Sequence, residues 1–197
     1  MADLTFSSKA ETCDALQRGL ENPNRRRRQE SAHAISEIAE KDPELVLSLL
    51  DPIKESLFRP EAQTRWECLD ALSKIAQAHP DEVADAYDGA ENSLFDEDSA
   101  AVRLSAFRFL ALYGSTSPEA SDKVWPLLDE AIQCYHGDPE YRNMLMALAD
   151  FAAGSISEAT RGALSDRMAF DAKSGRGYIR TFANDIIAEN KDAAHKA

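Results

Sequence analysis

The sequence has one lysine, Lys74, and no arginine between residues 66 and 100, against ten acids there, which gives that stretch a net charge of −9. Residues 1–65 hold ten Lys or Arg against twelve acids, a net of −2, and the whole chain of 197 residues carries −13. So acidic a surface argues against general adhesion to nucleic acid or anionic lipid, both negative themselves. Glycine and proline are also sparse, eight of each, which leaves few breaks and favours helix throughout. No run of 18 apolar residues occurs to span a membrane, and the start MADLTFSSKAE lacks the basic flank and apolar stretch of a signal peptide. The expected location is therefore the cytoplasm.

The three cysteines, Cys13, Cys68 and Cys134, form no CxxC pair and each falls in a helical pattern, so we expect buried thiols. His33, His79, His136 and His195 are dispersed, with no HExxH, and no GxxxxGK[ST] loop or GxSxG elbow appears. Catalytic, cofactor-binding and metal-ligating residues are accordingly expected to be absent. Asp14, Asp51, Asp88, Asp129 and Asp166 recur once per repeat, which reads as a solvated acidic ridge.

What is present is a repeat. Aligning the chain on Arg28, Arg65, Arg103, Arg142 and Arg180, spaced by 37, 38, 39 and 38 residues, places Ile35, Leu72, Leu110, Ala149 and Ile187 in one apolar column, seven residues after each arginine. The apolar stripe recurs at helical spacing, so each block is an amphipathic helix. A second helix precedes each block, with Pro43, Pro80 and Pro118 at the start of three of them. The expectation is all-α: five helical hairpins, ten helices, over about residues 6–41, 42–79, 80–116, 117–154 and 155–190, with a frayed polar tail at 191–197.

The period near 38, the paired helices and a turn-then-arginine signature such as DEDSAAVRLSAFRFLALYG resemble the HEAT-repeat (HEAT/armadillo-like) family. That resemblance implies a single right-handed α-solenoid, with the second helix of each pair lining its concave face. It also implies that the aligned arginines form a polar ladder with the turns, where the guanidinium can donate to carbonyls and carboxylates. The turn aspartate is missing from the first, second and fifth repeats, where NPN, RP and KSG stand.

Positions one, five and nine residues after each arginine should face outward on that surface. They bring Trp66, Asp70, Leu104, Arg108, Leu112 and Phe151 together as an apolar and aromatic spot among polar neighbours, the composition of a protein-binding site. The alternative for these side chains is burial by a neighbouring helix. The functional expectation is a non-enzymatic scaffold or adaptor binding a protein or peptide, with a basic partner favoured. A second reading resembles the alkylpurine DNA glycosylases, with Trp66 and Asp70 or Phe151 and Asp150 in their aromatic and acid roles. The charge opposes it. Arg25, Arg26 and Arg27, next to the aligned Arg28, read as a basic edge away from this groove.

Overall fold

The computed structural model describes residues 2–194, and the side chains of residues 10–192. The described residues are helical with no strand, and they divide into two compact units, Met1–Ala106 and Phe107–Ala197.

Unit 1 begins with α1 (Ala2–Leu20) and α2 (Arg25–Lys41). The turn between them is closed by Asn24, whose side chain accepts from the backbone N–H groups of Arg26 and Arg27 and so satisfies two donors at the free end of α2. A 3-10 helix (Pro43–Leu49) then runs into α3 (Leu50–Ser56), followed by α4 (Ala62–Ala78). The same plan repeats as a 3-10 helix (Pro80–Ala86), α5 (Tyr87–Leu94) and α6 (Ala100–Gly114), the helix in which the two units meet in sequence.

The sequence pattern predicts one continuous helix over PELVLSLLDPIKESLF, and the structure breaks it in two. Pro52 has no N–H to bond back into the preceding turn, so it is accommodated in the first turn of α3 and not in a helix interior. Prolines at the first position of each 3-10 segment fix φ where the chain re-enters helix. In the following repeat Gly89 lies so close to Leu57 that an added Cβ would meet Leu57 Cδ1 at 2.7 Å, and α5 approaches α3 through that gap.

The core of unit 1 is the apolar stripe of α2 and α4 closed over the first helices: Ile35, Val46, Ile53, Leu69, Leu72, Ile75, Val83 and Leu94 are fully buried. Each such side chain contributes about 1.5–3 kcal/mol relative to exposure. Unit 2 is built from α7 (Pro118–Cys134), α8 (Tyr141–Ala153), α9 (Glu158–Ser174) and α10 (Gly177–Ala194). Ser117 and Ser157 cap α7 and α9, each hydroxyl accepting from the backbone N–H three residues on. The polar tail expected from residue 191 is helical as far as Ala194, and residues 195–197, His195 among them, lie outside the described residues.

Candidate binding face

Trp66 and Asp70 lie on α4, Leu104, Arg108 and Leu112 on α6 and Phe151 on α8, and an arginine sets the register at the start of α2, α4 and α6. Arg28 is buried; its guanidinium donates to the carbonyls of Asn22 (2.7 Å) and Pro23 (2.9 Å) and pairs with the buried Glu61. Arg65 reaches Asp96 at 2.6 Å, and Arg103 donates to the Asp96 carbonyl at 2.9 Å. This is the ladder that the sequence resemblance implies, and it works without a turn aspartate in the second repeat because Glu61, one residue after RP, supplies the carboxylate.

From those anchors the outward positions follow. In unit 1, Gln29, His33 and Glu37 lie on α2, Trp66, Asp70 and Lys74 on α4, and Leu104 on α6. Trp66, Asp70 and Leu104 are half-buried, the state of side chains seated on a surface but open on one side. Polar contacts link this face across neighbouring helices: His33 Nδ1 lies 3.1 Å from Glu67, and Lys74 Nζ lies 2.5 Å from Glu40. Farther along α6, Arg108 is exposed and Leu112 half-buried.

Phe151 departs from this arrangement. Its side chain is 0% exposed, stacks on Trp125 with ring centroids 6.3 Å apart, and lies so near Gly114 that an added Cβ there would meet Phe151 Cε2 at 2.9 Å. It is a core residue and not a surface anchor. The cause is register. In α4 the buried Cys68, Leu69, Leu72, Ile75 and Ala76 stand 3, 4, 7, 10 and 11 residues after Arg65. In α8 the buried Met144, Leu145, Leu148, Phe151 and Ala152 stand at the same offsets after Tyr141, not Arg142. In α10 the buried Ala183, Ile186 and Asn190 stand 4, 7 and 11 residues after Ile179, not Arg180. The true spacings from Arg28 are therefore 37, 38, 38 and 38, more even than those of the arginines.

With that correction the outward residues of α8 are Arg142, Met146 and Asp150, all exposed, Met146 at 48%. On α10 they are Arg180, Asn184 and Ala188. Arg142 is thus a surface residue outside the ladder, while Arg180 still donates to the carbonyls of Ala172 (3.2 Å) and Lys173 (2.9 Å). A Phe151–Asp150 pair cannot serve as an aromatic and acid set on one surface, since the ring points into the core and the carboxylate is exposed.

Unit 2 also holds a buried arginine that the repeat alignment misses. Arg161, on α9, donates to the carbonyls of Ala152 (2.9 Å) and Gly154 (2.7 Å) and to Asn190 Oδ1 (3.1 Å), and Asn190 Nδ2 returns a bond to the Arg161 carbonyl at 2.7 Å. Its signal in sequence is weak, because RGALSDR offers two arginines on one helix. Of the acidic column, Asp14, Asp51, Asp88 and Asp166 are exposed, and Asp129 is held by both Nε and Nη2 of Arg167.

The expectation of three buried thiols needs correction: Cys68 is buried, Cys13 is half-buried and donates to the Leu45 carbonyl at 3.2 Å, and Cys134, near the end of α7, is exposed. Burial pushes the Cys68 thiol up to about 12. At pH 8 an aromatic disulfide reagent should therefore titrate Cys134 promptly and reach Cys68 only on unfolding. Fast modification of Cys68 in the native protein would contradict this packing. Among the described residues no group of three or more His, Cys, Asp or Glu could hold a metal ion, and no helix is long and apolar enough to cross a membrane.

Solved structures of helical repeat proteins share this fold. The chain is similar to a designed armadillo repeat protein, with a TM-score of 0.71 and 19% identity over 93% of this chain and 86% of that one. It is also similar to an engineered protein, with a TM-score of 0.74 and 21% identity over 91% and 81% of the two chains. A designed armadillo repeat protein in complex with the peptide (KR)4 matches with a TM-score of 0.74 and 17% identity over 90% and 81%. No family model and no curated protein matches the sequence. The fold is thus an all-α helical repeat of the armadillo/HEAT type, in the α-solenoid class.

Proposed function

We propose that this helical-repeat protein is a non-enzymatic scaffold that binds an extended protein segment along the outward face of its second helices. The observation that carries the reading is the placement of Trp66 and Leu104, two large apolar side chains half-open at the same position of α4 and α6, where α2 has the polar Gln29. An aromatic seated among polar neighbours is the usual anchor of a protein interface. Asp70 completes the set in unit 1, and Phe151 is excluded from it.

The partner favoured by charge is basic. Glu37 and Glu40 flank the face on α2, and residues 66–100 as a whole carry −9. A designed armadillo repeat protein of similar fold is solved in complex with the peptide (KR)4, which supports a peptide partner and supplies a probe. Titrating labelled alternating Lys-Arg and Glu-Ala peptides at low salt should show saturable binding of the first alone. Trp66→Ala should then weaken that binding about tenfold or more with the helical signal unchanged, because truncating a central aromatic costs about 2 kcal/mol or more. If Trp66→Ala bound the basic peptide as tightly as wild type, the site would not be this face.

A further inference from the structure

The turns that join the two helices of each pair lie side by side along one edge of unit 1, tied together by the ladder. Arg28 at the start of α2 pairs with Glu61 in the turn before α4, and Arg65 at the start of α4 pairs with Asp96 in the turn before α6. The order along the edge is thereby fixed. At one end Arg25, Arg26 and Arg27 are exposed on the first turn of α2, with Arg26 bonded to Glu30 at 2.8 Å. In the middle turn Phe58 is 63% exposed and Pro60 exposed, with the half-buried Arg59 between them. At the other end Glu97 and Asp98 are exposed, while Asp96 is turned inward to accept from the backbone N–H groups of Asp98 and Ser99 and to pair with Arg65.

Read along its length, these exposed side chains run positive, apolar, negative. Such a pattern is its own complement under a two-fold axis through its centre. Two copies meeting edge to edge in antiparallel sense place Phe58 against Phe58 and set each basic turn opposite an acidic one, twice. A parallel meeting sets like charges against each other and is repelled. We propose that this edge is a homodimer contact, with Phe58 at the axis and the Arg25–Arg27 and Glu97–Asp98 turns as its two reciprocal charged clamps. The contact is distinct from the outward face of the second helices and independent of any function assigned to that face.

Three turns offer less surface than the roughly 800 Å² per partner of a standard stable interface, so the dimer is a weak one, sensitive to salt. The ladder leaves these exposed side chains free to vary. Replacing arginine by glutamate in the first turn of α2 is favourable to the helix itself, since carboxylates suit a helix N-terminus.

Sedimentation velocity of the full chain over a range of concentrations tests the proposal. In low salt the wild type should sediment as a concentration-dependent monomer–dimer mixture that shifts to monomer as salt rises. Phe58→Glu, the triple variant R25E/R26E/R27E and the double variant E97K/D98K should each weaken the dimer by about tenfold or more with unchanged circular dichroism. Mixing the triple and double variants should restore a heterodimer, because each reversed turn then meets its complement on both sides. A wild type that stays monomeric at the highest soluble concentration in low salt overturns the proposal. So does a dimer that survives either charge reversal, or a mixture of the two variants that remains monomeric.

Discussion

Phe151→Ala lowers the stability of the protein by about 3–5 kcal/mol, the cost of deleting an aromatic side chain from a packed core. The ring is fully enclosed, stacked on Trp125 and pressed against Gly114, so its removal leaves a cavity beside the fully buried Val124 of α7, which meets the same space at Gly114. Relaxation there is limited, because the backbone of α6 already touches the ring at Gly114. A urea titration followed by circular dichroism reads this as a fall in the unfolding midpoint with little change in slope. The arginine-based register predicts something different: an outward Phe151, whose loss costs binding and leaves stability within about 0.5 kcal/mol of wild type. Met146→Ala, on the outward side of α8, supplies the contrast, since its side chain is 48% exposed. It should leave the unfolding midpoint nearly unchanged. A Phe151→Ala variant as stable as wild type would restore the surface assignment and remove the register correction in α8 and α10 together.

The helices, their pairing and the period were legible in the sequence because each helix repeats one burial pattern, and that pattern survives any error of a single residue in phase. Which side chains face outward did not survive it, since one residue turns a helix by about 100 degrees. Arg28, Arg65 and Arg103 gave a correct phase; Arg142 and Arg180 each stand one residue past the positions that Tyr141 and Ile179 occupy. The signal for the correction was present in the large apolar Met144 and Phe151, which the arginine alignment leaves in columns that are polar in α2. Trp66, Leu104 and Leu112 are half-buried and Arg108 is exposed, on helices that carry a ladder arginine. The split of the second and third first-helices into 3-10 and α segments had a local sign in Pro52 but none in the third repeat. The Arg161–Asn190 bond pair joins residues 29 apart, within the last repeat, and no periodicity marks it.

The second large effect falls on the ladder. Glu61→Ala should destabilise the protein by about 3–5 kcal/mol, more than a surface ion pair is worth, because it strands a buried guanidinium. Arg28 lies with its side chain 11% exposed and Glu61 with its own 4% exposed, and two carbonyls, of Asn22 and Pro23, account for the remaining bonds of the group. With the carboxylate gone, those carbonyls still solvate one end of the guanidinium while Nε stays buried without a partner and Nη2 loses its own. Replacing both partners separates the loss of the pair from the cost of leaving one charge alone. The double variant Arg28→Met with Glu61→Leu should recover most of the stability lost by Glu61→Ala, since a buried ion pair often contributes little beyond an apolar pair of similar volume. Urea unfolding of the two single variants and the double closes this cycle. Arg28→Lys should fall between, as an ammonium cannot bond two carbonyls and a carboxylate in one plane. A Glu61→Ala variant within about 1 kcal/mol of wild type would mean that water reaches Arg28 and that the ladder does not hold the turns of unit 1 in line.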